Sequence, residues 1–382
     1  MSAVCALAEK ESSGVRPPDA PVPAPTAVEF HYTQSDSFVA LLKQLAASLL
    51  VTTYQANKLL VVREAQGGLS TLVRTFDQPM GLAVDGRRLA LGTRHQIWLL
   101  RNAPDIAPRI EPAGLHDGCF LPRSSHVTGD IRVHEIAWAS EELWIVNTRF
   151  SCLCTLDPDY SFVPRWRPPF ITSLAAEDRC HLNGLAMAPD DVGRFSQPSY
   201  VTALGATDTP NGWRQDKAKG GCLIDVPSGE VVARGLSMPH SPRLHEGRLY
   251  LLESGTGRLL QVDPVTGHGE TVAELAGFTR GLAIHGPYAF IGLSKIRETN
   301  TFGGLPIAER LDELKCGVAV VDLRHGQVVG LLEFQTAVEE IFAVEVLPGV
   351  RFPEVLGFQQ ETIQHTFIVP RESQPVRIPE SA

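Results

Sequence analysis

The sequence predicts an all-β protein folded as a six-bladed β-propeller, and its repeats are the first observation that supports this class. A short pattern of a polar residue, a small residue, an aliphatic residue and alanine recurs six times. Regular repeats rich in glycine and proline turns are typical of propellers. The six copies are "QPMGLAV" (78–84), "RVHEIAW" (132–138), "HLNGLAM" (181–187), "MPHSPRL" (238–244), "FTRGLAI" (278–284) and "VEEIFAV" (338–344). The fourth departs most, with Pro-Arg in place of aliphatic-Ala.

The segments between these copies supply the second observation. Two β-rich runs joined by a turn follow most copies, as in "LALGTRHQIWLL" and "LWIVNTRFSCLCTLD". A further run such as "EVVARGL" then precedes the next copy. Alternating apolar runs bounded by turn residues indicate strands. Each repeat therefore contains four predicted strands.

The two ends of the chain supply the third observation. "SLLVTTYQANKLLVVR" (48–63) and "LSTLVRTF" give later strands of a repeat with no first strand before them, whereas "VEEIFAVEVLPG" is a first strand with nothing after it. Pairing the inner strand at about 340–347 with the strands at about 48–76 closes a ring and removes exposed edges. A pair of β-sandwiches is the alternative, but sandwich strands need no such repeated register.

Composition limits the domain plan and the partners. The 382 residues carry a formal charge of −9 and no basic cluster, which argues against nucleic acid. No window reaches 18 apolar residues, so no membrane span is expected. Seven cysteines without CxxC or zinc-finger spacing favour a reduced, cytoplasmic protein. The propeller is predicted over 36–365, between a largely disordered proline-rich segment at 1–35 and a disordered tail at 366–382.

The start of each inner strand is predicted to line the central channel. The residue before the small position is Met80, His134, Asn183, His240, Arg280 or Glu340 in the six copies. Because strand side chains alternate, the residue two positions earlier shares that face, which adds His181, while Glu135 should face away into its blade. The sequence therefore predicts a polar cluster on the axis.

This cluster has the chemistry of a metal centre. His134, His181, His240 and Asn183 are the predicted ligands, and imidazole suits iron, zinc, manganese or copper better than calcium. Arg280 and Glu340 are the predicted catalytic residues, with the Arg280 guanidinium binding a carboxylate or phosphate of the substrate. The alternative is that these side chains only hydrogen-bond water in a wet channel.

Loops on the same rim are predicted to contact the substrate. Their candidate residues are Asn147, Arg149, Trp213, Glu253, Lys295 and Arg297. Long loops at 207–220 and 294–317, the second with a short amphipathic helix near 306–314, are either lids or insertions without function.

Several segments resemble a bacterial family of conserved hypothetical proteins with a domain of unknown function. They are "LLVTTYQANKLL", "PMGLAV", "LWIVNTRFSCLCTLD", "HLNGLAM", "MPHSPR" and "RGLAIHGPYAFIGLSK", within about 36–350. More remotely, the repeats are similar to NHL and gluconolactonase (SMP-30-like) six-bladed propellers. The second resemblance implies a calcium site that opens lactones. The histidines of this chain depart from that pattern and favour a softer metal.

Two functions are compatible with these residues. The first is a metal-dependent enzyme that acts on a small polar or anionic substrate at the channel, with hydrolase, lyase and oxygenase chemistry all open. The second is a non-catalytic propeller whose loops bind a protein or a glycan. Fold alone does not choose between them.

Overall fold

The computed structural model describes residues 30–190, 193–295, 304–311, 313–357 and 361–369. The first eight strands are β1 (Tyr32–Gln34), β2 (Ala47–Thr53), β3 (Lys58–Ala65), β4 (Gly68–Thr75), β5 (Leu82–Val84), β6 (Arg88–Gly92), β7 (Gln96–Asn102) and β8 (Gly118–Val127). The next eight are β9 (Val133–Ala139), β10 (Glu142–Asn147), β11 (Cys152–Asp157), β12 (Tyr160–Trp166), β13 (Leu182–Pro189), β14 (Phe195–Ala203), β15 (Gly221–Asp225) and β16 (Val231–Leu236). The remaining strands are β17 (Pro239–His245), β18 (Arg248–Glu253), β19 (Arg258–Val262), β20 (Gly269–Glu274), β21 (Phe278–His285), β22 (Tyr288–Ser294), β23 (Gly317–Asp322), β24 (Gln327–Phe334), β25 (Ala343–Pro348) and β26 (Pro353–Val355).

These strands form six sheets around one axis, each built on four antiparallel strands, which confirms the predicted six-bladed propeller. Blades 1 to 5 are β5–β8, β9–β12, β13–β16, β17–β20 and β21–β24. Blade 6 combines β25 with β2, β3 and β4. The inner strands β5, β9, β13, β17, β21 and β25 contact one another around the channel. Apolar side chains from facing blades fill the space between the sheets.

Blade 6 closes the ring as the two ends of the sequence predicted. β25 pairs with β2 over six residue pairs, from Ala47–Pro348 to Thr52–Ala343. The pairing satisfies the backbone groups of two edges that would otherwise face solvent. The ring is therefore held by a strand from late in the chain.

Both ends of the described chain add structure outside the four-stranded repeats. β1 pairs with β24 as a fifth strand of blade 5, and β26 pairs in parallel with β8 on blade 1. Helix α1 (Asp36–Gln44), which Ser35 caps, packs Phe38 and Leu42 into the core beside β24. β1 thus lies within the segment 1–35 that was expected to be largely disordered, while residues 1–29 and 370–382 lie outside the described residues.

Short helices occupy the loops of the ring. Helix α2 spans Pro306–Arg310, which is shorter than the predicted helix near 306–314, and 3₁₀ turns span Ala107–Arg109, Gly212–Asp216 and Glu361–His365. No helix in the described ranges is long and apolar enough to cross a membrane.

Four inner strands carry a β-bulge where they reach the channel. In β9 the pairs Val133–Asn147 and Ile136–Ile145 enclose two residues on β9 but only one on β10. The pairings of β13, β17 and β21 shift in the same region. A bulge interrupts the alternation of side chains along a strand. As a result both His134 and Glu135 line the channel, and the expectation that Glu135 faces away is wrong.

Crowding at the axis explains the small residue of the repeat. Gly281 has a φ of +79°, and a Cβ atom there would lie 2.7 Å from the backbone nitrogen of Val344 on the next blade. At Gly184 a Cβ atom would collide with Pro242 on β17, the inner strand of the next blade. The inner strands approach one another too closely for a side chain at these positions.

Hydroxyl groups at the ends of second strands bind the start of the next blade. We call these hydrogen bonds the inter-blade latches; they run from Thr52 Oγ1 to Met80 O (2.6 Å), Thr148 Oγ1 to Leu182 O (2.5 Å), Ser254 Oγ to Thr279 O (2.5 Å) and Ser294 Oγ to Ile341 O (3.3 Å). The latches are buried, so each adds about 1 kcal/mol to the stability of the ring.

Candidate functional site

Three histidines meet at the upper end of the channel, which is the end where the inner strands begin. The ring centres of His134 and His181 are 4.8 Å apart, and those of His134 and His240 are 6.5 Å apart. Phe342 lies 5.2 Å from His134, and the Arg280 guanidinium lies 3.5 Å from the centre of the Phe342 ring. The structure therefore brings the predicted histidines and Arg280 together.

Two inter-blade latches also orient histidines. Thr148 Oγ1 lies 2.7 Å from His134 Nδ1, and Ser254 Oγ lies 2.9 Å from His240 Nδ1. Each hydroxyl gives its only proton to a carbonyl of the next blade, so it accepts a hydrogen bond from the imidazole. The backbone oxygen of Met238 is a second acceptor at His240 Nδ1. Both rings are thus protonated on Nδ1, and each Nε2 keeps its lone pair.

The charge state of these rings follows from their surroundings. Burial lowers the pKa of His134 and of His240 well below the usual value, and the positive charge of Arg280 lowers both further. Both imidazoles are neutral at pH 7. A neutral ring with a free Nε2 can accept a proton or bind a metal ion.

His181 reaches the cluster in a different way from its neighbours. Its φ is +51°, and Arg132 and Met238 likewise have a positive φ just before their strands. The alternation of side chains along an extended strand therefore does not predict where the His181 ring points. Its Nδ1 lies 2.9 Å and 3.0 Å from the two carboxylate oxygens of Asp178. Asp178 also pairs with Arg132 at 2.8 Å. A buried carboxylate therefore fixes the His181 ring.

Arg280 is the cation of the site. Its Nη2 atom is buried and has no hydrogen-bond partner in the described part of the chain. Burial lowers the pKa of Arg280 to about 10, and the guanidinium stays charged at neutral pH. An unpaired charged donor beside neutral imidazoles is unfavourable unless an anion completes it.

Asn183 takes the register of His134 and His240, but its side chain is engaged. Its Nδ2 donates to Pro239 O at 3.0 Å, and its Oδ1 accepts from Thr202 Oγ1 at 2.7 Å. The amide thus connects blade 3 to blade 4, where other blades use a latch. Its predicted role as a metal ligand would require breaking this connection.

Blade 6 presents a different residue from the one that the repeat alignment indicated. Phe342 follows the latch acceptor Ile341, as Arg280 follows Thr279, and it lines the cavity. Glu340 lies two residues earlier, where its charge raises the pKa of Arg280 without an ion pair among the described contacts. In blade 1, likewise, Gly81 follows the acceptor Met80, which packs in the core.

Three of the predicted substrate-binding residues are engaged in loop structure. Asn147 is fully buried, and its Oδ1 accepts from the Phe150 backbone. Arg149 pairs with Asp130 at 2.7 Å. Glu253 accepts from Thr256 Oγ1 at 2.6 Å. Each of these side chains has a structural partner.

The other three loop residues differ in placement. Trp213 is buried, and its ring centre lies 4.4 Å from that of His181, so it packs against the histidine. Lys295 is partly buried at the end of β22, and Arg297 lies outside the described residues. The loop at 207–220 is fastened by Asp208, which accepts from Thr172 Oγ1 at 2.6 Å and pairs with Arg179 at 2.7 Å.

A second ionic group closes the channel below the histidines. Arg243 on β17 pairs with Glu135 at 2.5 Å and lies 3.8 Å from Glu345 on β25. Glu135 also accepts from the Leu185 backbone at 2.7 Å. We call these three side chains the channel plug. They leave a cavity of about 10 Å³ beneath the histidines, room for about one water molecule.

The donor set of the upper cluster fits a borderline or soft metal ion. Ligating histidines usually donate their second nitrogen to an acceptor, as His134, His181 and His240 do here. The positions of these side chains fit a metal less well than their chemistry does, because no three His, Cys, Asp or Glu side chains in the described ranges are placed to hold an ion together. A metal would therefore require side-chain rotation within the cluster.

We expect a Ser254→Ala variant to lose about 1 kcal/mol of unfolding free energy and to shift the His240 imidazole resonances, since it removes a latch and one of the two Nδ1 acceptors, the other being Met238 O. Urea unfolding and nitrogen NMR of the imidazoles measure the two effects. Ser294→Ala is the matched control, because Ser294 forms a latch without contacting a histidine. Unchanged His240 resonances in Ser254→Ala would contradict the orienting role.

Comparison with known proteins identifies the family. A family model described as "Domain of unknown function (DUF4915)" matches residues 36–356. The chain belongs to this family. The resemblance found in the repeat segments is thereby confirmed. No curated protein matches this DUF4915 chain.

Three solved structures are similar to the DUF4915 chain at low identity. A chain of the nidogen/laminin complex has a TM-score of 0.50 at 13% identity, covering 79% of this chain and 99% of that chain. A protein of unknown function from Bacteroides caccae gives 0.48 at 9%, covering 78% and 98%. Virginiamycin B lyase from Staphylococcus aureus gives 0.40 at 12%, covering 83% of both chains. These likenesses concern architecture alone.

Proposed function

We propose that the upper end of the channel is the active site of an enzyme that acts on a small anionic substrate. The observation that carries this proposal is Arg280, whose unpaired, buried Nη2 lies among neutral imidazoles. A carboxylate or phosphate would supply the missing partner. The narrow cavity below and the aromatic ring of Phe342 limit the substrate to a small molecule held at the mouth.

The residues divide the chemistry between them. The Arg280 guanidinium binds and orients the anionic group. In the protein without metal, the Nε2 atoms of His134 and His240 accept a hydrogen bond from the substrate or from water, because Nδ1 carries the proton of each neutral ring. Thr148 and Ser254 act through these rings by fixing their tautomers.

A divalent metal is part of this proposal, with His134, His181 and His240 as its ligands. Iron, zinc, manganese and copper suit this donor set better than calcium does. When bound, the ion would act as a Lewis acid toward the substrate. Six described cysteines are buried and free, which supports our placement of the protein in the reducing cytoplasm.

Metal binding is tested by equilibrium dialysis against zinc and manganese, with the bound ion counted by mass spectrometry. We expect about one ion per chain, and its loss in His240→Ala. His245→Ala is the matched control, since His245 lies at the other end of the same strand. A wild-type protein without stoichiometric metal, or equal retention by His240→Ala, would overturn the metal assignment and leave the anion site to its own test.

A further inference from the structure

The opposite end of the channel opens into a wide funnel that the proposed function does not use. Its volume is about 570 Å³. Apolar side chains of the inner strands form the inner wall, among them Ile136, Leu185, Met187, Leu244, Ile284 and Val346, and charged side chains that include Arg87, Arg88 and Arg194 line the outer part. His245 and His285 lie at the rim, and Arg243 and Glu345 form the base. A cavity of this size and polarity is typical of a small-molecule site.

Glu345 is the incompletely paired group at the base of the funnel. Its side chain is 22% exposed and accepts no hydrogen bond from any described residue. Its ion partner is Arg243, which lies 3.8 Å away but pairs more closely with Glu135 at 2.5 Å. Arg243 also donates to Pro242 O and Leu185 O, so its donors are directed elsewhere.

The charges of the plug define what the base of the funnel would bind. Glu135, Arg243 and Glu345 sum to one negative charge when both carboxyls are ionised. The Arg243 guanidinium makes its close ion pair with Glu135 and lies farther from Glu345. A cationic group entering from the funnel would meet Glu345 at the end of an apolar wall, where a charge pair is only weakly screened.

We propose that the funnel is a second ligand site, which binds a small apolar molecule through a protonated amine paired with the Glu345 carboxylate. The apolar body of the ligand lies against the inner-strand walls. An anionic ligand is disfavoured at this base, in contrast to the mouth around Arg280. The two ends of one channel thus select opposite charges.

The titration of Glu345 gives the site a pH dependence. Burial raises the pKa of Glu345 to about 7, the positive charge of Arg243 opposes that rise, and Glu135 reinforces it. The funnel is also lined by His245, His285 and five charged side chains that are engaged in ion pairs, namely Asp85, Arg87, Arg88, Glu141 and Arg194. The small cavity on the other side of the plug adds His134, His240 and Arg280. Amine binding requires the ionised carboxylate, so affinity should rise about tenfold from pH 6 to pH 8. An alkylamine stays protonated throughout this range.

Isothermal titration calorimetry of the full chain tests the proposal, with 2-phenylethylamine as the probe and 2-phenylethanol and phenylacetate as its neutral and anionic counterparts. We expect the amine to bind at pH 8 at least tenfold more tightly than either counterpart. Glu345→Gln should lose at least tenfold in amine affinity. Glu246→Gln, a control at an exposed turn on the same rim, should not.

Thermal unfolding of Glu345→Gln shows whether a loss of amine binding comes from the missing carboxylate or from a failure to fold. Because the folded-state pKa of Glu345 is raised, its ionisation destabilises the folded protein as pH rises from about 4.5 to about 7. Glu345→Gln should therefore unfold at a higher temperature than the wild type at pH 8. Amine affinity should persist in Arg280→Met, so a failure of the funnel proposal can be told apart from a failure of the proposed function at the upper site. Equal affinity for amine and alcohol, undiminished binding by Glu345→Gln, or no binding of any probe would overturn the proposal.

Discussion

Replacing Arg280 by methionine should make the protein more stable and abolish its response to anions. The guanidinium is a buried cation with an unpartnered Nη2, and removing it relieves a cost of about 2 kcal/mol. Methionine retains a contact with the Phe342 ring, which limits the packing loss. The gain in stability with loss of binding is typical of residues kept for function.

Urea unfolding with and without phosphate measures both halves of this prediction. Phosphate should raise the unfolding midpoint of the wild type and leave Arg280→Met unchanged, because binding to the folded state stabilises it. Arg149→Met is the matched control: it removes a guanidinium from the same rim, but one paired with Asp130. That variant should keep the phosphate response. A destabilised Arg280→Met protein that still responds to phosphate would refute an anion site at Arg280.

Ending the chain at Phe342 should abolish cooperative folding. The truncation removes β25, with Val344, Val346 and Leu347 buried in the core, and frees the six paired residues of β2. Each buried side chain contributes about 2 kcal/mol. The stability lost with these three side chains and with the hydrogen bonds between β25 and β2 is comparable to the unfolding free energy of an ordinary domain, about 5–15 kcal/mol.

Near-ultraviolet circular dichroism during thermal unfolding tests this closure. The truncated chain should show no sharp transition and should aggregate through its open β2 edge. A chain that ends at residue 369 keeps β25 and β26 and serves as the control. A sharp transition in the shorter chain would show that closure by β25 is dispensable.

The architecture was predictable because its signals are local and repeated. Six copies of one motif and the split repeat at the ends specify blade number and ring closure, and the ladder between β25 and β2 agrees with both. The meeting of His134 and His240 was also predictable, since equal register in equivalent strands brings side chains to one axis.

The details of the site were less predictable, because they depend on backbone deviations. A bulge puts Glu135 in the channel, and a positive φ changes the path of the chain at His181. Phe342 was missed because the pairing of β25 with β2 runs without a bulge over its described length, so an alignment by pattern displaces it. Thr148 and Ser254 had a usable signal: a hydroxyl residue recurs at the end of second strands in "VNTRF" and "LLESG".

The bulged inner strands allow residues at the two ends of the channel to change independently of each other. A regular strand would give the axis every second side chain, whereas a bulge delivers two consecutive ones, such as His134 upward and Glu135 toward the plug. Replacing His134 alters the chemistry of the upper end and leaves the channel plug intact. A single scaffold can in this way acquire new reactivity on one side without redesigning the other.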